Sequence, residues 1–175
     1  MRKTFIVILT LIVILIMISG CSKDNDTFLI EKIENSFPND VQHDEIYHIE
    51  IIKMGLLVFY KSTSGFGAGF IKQKSNAWEW VSNSGYASLK PDDGLSVVFS
   101  NRDEIPLYFS YGIITNPDII EVISSVDDAV NKAKIIQTSN GIRIWFHTYD
   151  APLSSPFPLI VGISKEGKQI ATSES

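Results

Sequence analysis

Few side chains in this sequence combine a reactive type with a useful spacing. Cys21 is the single cysteine in 175 residues. It has no disulfide partner within the chain, and nothing in its flanking stretch suggests activation to a thiolate. His43, Asp44, Glu45 and His48 form the main His/acid cluster. A zinc set needs its ligands on one side of the backbone. On a strand, His43 and His48 have opposite parity, so solvated strand-edge residues are the expected reading and no metal site is expected. Gly65, Gly67 and Gly69 in SGFGAGF suggest a phosphate loop only superficially. A dinucleotide loop needs G-x-G-x-x-G between a strand and a helix; here Phe70 holds the final glycine position and the flanks read as strands. No cofactor is expected. Serines abound, but no G-x-S-x-G elbow marks a nucleophile. Asp92-Asp93 and Asp127-Asp128 sit where turns are expected, and Asp there serves local backbone bonding.

Two aromatic patterns are the candidate binding residues. Arg143, Trp145, His147 and Tyr149 alternate along one segment whose other face is Ile142, Ile144 and Phe146. The aliphatic face is the expected core side. The Arg143-Trp145-His147 stripe is therefore expected to face outward, and if that face recognises a partner, Trp145 is its anchor. A two-residue turn at Asn140-Gly141 would set Thr138, Ile136 and Lys134 opposite Arg143, Trp145 and His147. The favoured reading is packing, with Arg and Trp stems covering the sheet and their polar tips wet. Trp78 and Trp80 form the second pattern. A hairpin turning near Ser75-Asn76 pairs Gln73 with Trp78 and Ile71 with Trp80. The two rings then cover the glycine face of the preceding strand. Exposed instead, they would make a platform for a sugar or peptide.

The elements that would position these residues follow from periodicity. Leu29, Ile30, Ile33 and Phe37 share one face of a helix expected over 28–37, capped by Asp26 or Thr27 and stopped by Pro38. Strand signals follow at 46–54, 56–61, 66–73, 77–81, 95–99, 105–114, 119–123, 133–138, 142–149, 159–164 and 168–172. Asn140-Gly141 and Glu166-Gly167 mark hairpins, and Ser125–Val130 reads as a single helical turn. Closely spaced short strands without interleaved helices predict a mainly β fold. Its expected form is an antiparallel β-sandwich, or a curved sheet with the one N-terminal amphipathic helix covering a face.

The N-terminus predicts an address. Arg2 and Lys3 precede TFIVILTLIVILIMI, an uncharged apolar run, and then Ile18-Ser19-Gly20-Cys21. Basic start, apolar stretch and small residues at the cut are the layout of an export signal. The four residues 18–21 resemble the lipobox of bacterial lipoproteins, with Ile18 where leucine is commoner. The resemblance implies a signal peptide over 1–20 and diacylglycerol on the Cys21 thiol, which then becomes the mature N-terminus. Two acyl chains anchor stably where one is marginal. Residues 21–27 read as a lipidated polar tether and 28–175 as a single domain. The chain carries 15 basic and 20 acidic residues, net −5. Loss of Arg2 and Lys3 leaves 13 basic against 20 acidic residues, or −7. That sign argues against nucleic acid as a partner.

LLVFYKSTSGFGAGFIKQKSNAWEW, YGIITNPDIIEV and IVGISKEGKQI resemble small uncharacterised lipoproteins of Gram-positive rods. The resemblance implies a membrane-tethered extracytoplasmic β domain and lends no catalytic or ligand residues. The expected function is a binding or interaction module of the cell envelope, held to the membrane through Cys21, with an envelope protein or glycan as partner. The alternative is an envelope hydrolase whose site assembles from scattered Ser, His and Asp. A concave pocket bringing His43, His48 or His147 to a Ser or Asp would favour the hydrolase.

Overall fold

The computed structural model describes residues 24–75, 77–100, 107–126, 129–153 and 157–173, with side chains from residue 29 onward. The signal segment and Cys21 lie outside the described residues. No helix among the described residues is long and apolar enough to cross a membrane. The chain divides into two units, meeting between Ser36 and Phe37.

The described part of the first unit is the helix α1 (Asp24–Glu34) and the two residues after it. The helix starts earlier than the sequence pattern predicts, so Asp26 and Thr27 lie within its first turn and are not its cap. It also ends earlier. Asn35 N–H donates the last helical bond to Glu31 O at 2.9 Å, and Ser36 turns back on Ile33 O through both its N–H and its hydroxyl. Phe37 therefore leaves the apolar helix face expected for it and belongs to the second unit.

The second unit is mainly β, as the pattern of short strands predicts, and entirely antiparallel. Among the described residues, twelve strands form three four-stranded sheets. The first is a meander of β1 (Glu45–Ile52), β2 (Gly55–Ser62), β3 (Gly65–Lys74) and β4 (Ala77–Ala87). The remaining chain alternates hairpins between two sheets. β5 (Val98–Ser100) and β6 (Tyr108–Ile114) enter the second sheet, and β7 (Ile119–Val126) and β8 (Ala129–Lys132) the third. β9 (Lys134–Gln137) and β10 (Arg143–Tyr149) return to the second, and β11 (Leu159–Ser164) and β12 (Gln169–Thr172) close the third. Long-range pairs β6–β10 and β7–β11 join the hairpins within each sheet. Of the stretch expected to form a helical turn, residues 127 and 128 lie outside the described residues, and the flanking ones are strand: Val126 pairs with Ala129 and Ser125 with Val130.

Two cores fix the layering. Leu57, Phe59, Phe66 and Phe70 of the first sheet pack on Phe109, Tyr111, Ile113, Ile144 and Phe146 of the second. Ile114 and Trp145, from the opposite face of that second sheet, pack with Leu95 on Ile119, Val122, Ile160 and Ala171. The sandwich thus has three layers, and its middle sheet is covered on both faces.

This layering corrects the reading of β10. The Arg143-Trp145-His147 stripe does share a face, but that face meets the third sheet, not water. Trp145 is completely buried and is no surface anchor. Its indole N–H donates to Ser96 O at 2.9 Å. Gly112 stands directly opposite it, where a β-carbon would overlap Ser96 O and press on the indole nitrogen. The hairpin register also shifts by one. Arg143 pairs with Gln137 and Trp145 with Ile135, because the turn has three residues, not two. Gly141 N–H donates to Thr138 O at 3.0 Å and Thr138 N–H to Ile142 O at 2.8 Å. Gly141 takes a φ of +83°, the left-handed position of a three-residue hairpin loop.

Trp145→Ala should cost about 3–5 kcal/mol of stability, as large-to-small changes in a closed core do. Chemical denaturation reads this directly. A loss under about 1 kcal/mol would mean that the second core is open.

Candidate functional site

Each candidate residue has a definite place. Trp78 and Trp80 lie on β4 in the expected register, Gln73 opposite Trp78 and Ile71 opposite Trp80. A β-carbon on Gly69 would overlap the Trp80 ring, so this indole covers the bare glycine face as expected. Trp80 also meets Phe37 at 4.4 Å and Tyr60 at 6.0 Å between ring centroids. Both tryptophans are half-buried, and Trp80 is held in an aromatic cluster instead of standing free as a platform. Cys21 lies outside the described residues.

The three histidines go separate ways. His43 stacks on Phe37 at 3.9 Å. His48 donates to Glu50 Oε2 at 3.0 Å, and Lys134 from the middle sheet reaches both oxygens of the same carboxylate at 2.7 and 2.9 Å. Burial pushes the Glu50 carboxyl up, but the bonds from His48 and Lys134 prevail and hold it below its ordinary value. His147 is half-buried, edge-on to Tyr149 at 4.7 Å. Burial lowers its pKa, against the opposing pull of Asp150. The Tyr149 hydroxyl bridges Ser110 and Ser124 at 2.7 Å each. Both serines are completely buried, so this network closes the interface between the second and third sheets and offers no accessible nucleophile.

Candidate residues meet a concave surface at two places: Trp80 lines a cleft of about 460 Å³ whose other walls include Lys72, Lys74 and Glu79, and Arg143, the first residue of β10, lines a more apolar one. Its guanidinium donates to Asn116 O at 3.2 Å and to Ile119 O, the two ends of the crossover from β6 to β7. Asn116 Oδ1 accepts from Asp118 N–H at 2.9 Å and tightens the same turn. No carboxylate meets Arg143 among the described residues, and burial lowers its pKa. Beside it opens a groove of about 650 Å³ lined chiefly by Leu89, Ile114, Pro117, Ile120 and Ile142. None of its lining residues is acidic, and none is histidine or serine. An apolar cleft of this size with one convergent polar group has the ordinary anatomy of a small-molecule site.

Sequence reasoning found Arg143 but missed the groove. Its walls come from Leu89, the β6–β7 crossover and the β9–β10 turn, which meet only in three dimensions. The available signal was Asn116-Pro117-Asp118, a turn followed by the exposed Ile120. Family models, curated proteins and solved structures were all compared with this chain, and none matches.

Acid should destabilise the fold in two steps. Both His147 and Glu50 have folded-state pKa values below their ordinary ones, so each contributes stability that is present above its unfolded pKa and lost as pH falls through the folded one. The His147 step begins just below its ordinary value near 6.5, and the Glu50 step lies below 4.5. Denaturation midpoints of His147→Gln should lose the first step and keep the second. An unchanged pH profile in that variant would contradict the assignment.

Proposed function

We propose that this chain is a lipid-anchored extracytoplasmic lipoprotein whose β unit is a binding module, with the groove beside Arg143 as its ligand site. The observation that carries the binding reading is the groove itself: apolar walls, and one cation whose partners within the fold are carbonyl oxygens. The anchor rests on Ile18-Ser19-Gly20-Cys21 following an uncharged apolar run. The reading places the protein at the cell membrane, facing away from the cytoplasm, with Cys21 carrying diacylglycerol. The mature net charge of −7 disfavours nucleic acid. Apolar walls suit an apolar-bodied ligand better than a glycan, which needs many polar partners.

The hydrolase alternative draws no support from this geometry. His43 stacks on a phenylalanine, His48 is tied to Glu50, and His147 faces Tyr149. None of the three lines the groove.

The test has two arms in cells. An alkyne fatty acid should label the wild-type chain, and Cys21→Ser should abolish both labelling and signal removal. A photoreactive residue at the exposed position 120, on the groove wall, should capture an envelope ligand, while one at the exposed position 130 on β8 should not. Unlabelled wild-type chain retaining residues 1–20 would overturn the address. Equal capture at both positions would overturn the site.

A further inference from the structure

The groove allows its ligand to be named by class. We infer that it binds a long-chain monocarboxylate, with the carboxylate at Arg143 and the chain along Ile114, Ile120 and Ile142. This deepens the binding reading above and rests on it.

Charge complementarity comes first. The Arg143 side chain is half-buried at the groove wall. Its guanidinium has five N–H donors, and its partners in the fold are two carbonyl oxygens, which carry no formal charge. A half-buried cation without a counter-charge keeps part of its desolvation cost unrepaid. An incoming carboxylate would supply the missing charge through a charge-assisted hydrogen bond. The carbonyls of Asn116 and Ile119 already hold the fork in place, so little side-chain entropy is lost on binding.

The walls decide the rest of the molecule. Besides Arg143, Thr115 is the lone polar side chain of the lining. An extended peptide would need free backbone donors and acceptors along the groove. Four donors of the wall are already used: Ile113 N–H donates to Ser96 Oγ, Thr115 N–H to Gly94 O, Gly141 N–H to Thr138 O and Ile142 N–H to Thr138 Oγ1. A hydrocarbon chain asks for no such partners. The volume of about 650 Å³ suits one small-molecule body, not a folded partner.

Position within the second unit supplies a source. Asn140 Nδ2, in the turn beside the groove, donates to Glu45 Oε1 at 2.9 Å. Glu45 is the first residue of β1. The turn that forms one wall of the groove therefore lies beside the start of the first strand. Only 15 residues separate Cys21 from Phe37, a reach of at most ~50 Å fully extended. A chain anchored at Cys21 would keep this turn near the bilayer, where long-chain carboxylates partition.

The experiment uses the full chain in phosphatidylcholine vesicles, photolysed with a diazirine-bearing palmitate or with the matching uncharged alcohol, and cross-links mapped by mass spectrometry. The palmitate probe should mark groove-wall residues, at least tenfold more than the alcohol. Arg143→Gln should lower that labelling at least tenfold. Because Arg143 also ties the crossover, Ile120→Asp is the second variant. Ile120 is 54% exposed, so this change leaves the core intact, and it should lower labelling as strongly. Equal labelling by acid and alcohol, labelling confined outside the groove, or displacement by a C-terminal carboxylate peptide but not by oleate would overturn the inference. If groove labelling fails while Cys21 is lipidated and position 120 still captures a ligand in cells, the ligand class is wrong and the binding reading survives.

Discussion

A sheet wedged between two others has no wet face, and most of this structure follows from that constraint. β6 and β10 must be apolar or internally satisfied on both sides. Their inward-facing sets are Phe109, Tyr111, Ile113, Ile144 and Phe146 toward the first sheet, and Ile114 and Trp145 toward the third. Volume must match across the ladder, so the largest side chain, Trp145, stands opposite Gly112. Polar atoms caught between layers must be paired, because an unmet buried donor or acceptor costs about 1–3 kcal/mol. Trp145 N–H finds Ser96 O, Tyr149 finds Ser110 and Ser124, and Tyr111 finds Ser84 and Gly85 O. Three of the buried serines, Ser84, Ser110 and Ser124, are thus the small polar partners of large polar aromatics.

The groove is where that constraint is released. At the start of β10 the middle sheet runs out, and the layers on either side no longer close over it. Arg143 is placed where its stem continues the buried stripe and its head reaches the crossover from β6 to β7. That crossover is the first passage of the chain from the second sheet to the third. One guanidinium therefore holds a structural turn and supplies the lone formal charge of the groove wall. The two roles are compatible because a fork with five donors is not exhausted by two carbonyls.

Much of this was legible in the sequence, and the misses have physical causes. The β class, the first three strands, the Gln73–Trp78 and Ile71–Trp80 pairing and the covering of Gly69 by Trp80 follow from alternation and turn chemistry. Alternation misleads at β10. Arg143 and His147 flank Trp145, and polar neighbours in an alternating strand imply a wet face. Here the two polar residues lie toward the ends of the strand and only the central Trp145 is fully covered. The one-residue register error has a similar root. Asn-Gly favours a two-residue turn, but Thr138 bonds Ile142 through both backbone and hydroxyl and fixes a loop of three. Lys165-Glu166-Gly167 repeats the design, with Gly167 at φ +76° and Ser164 N–H donating to Lys168 O. The α1 boundary moved because Ser36 closes the helix before Phe37, a local capping effect invisible to apolar periodicity. The groove had no linear signature, since its walls are gathered from three separated segments.

Native-state hydrogen exchange on the full chain tests the three-layer arrangement most directly. Strands covered on both faces and paired on both edges should open only with global unfolding. The backbone amides of β6 and β10, centred on Tyr111, Gly112, Trp145 and Phe146, should therefore be the slowest to exchange, with a free energy of opening equal to that of unfolding. Amides of the outer edge strand β8 should exchange far faster. If β10 exchanges as readily as β8, the middle sheet is not buried on both faces, and the account of Trp145, of the serine partners and of the groove at its margin fails with it.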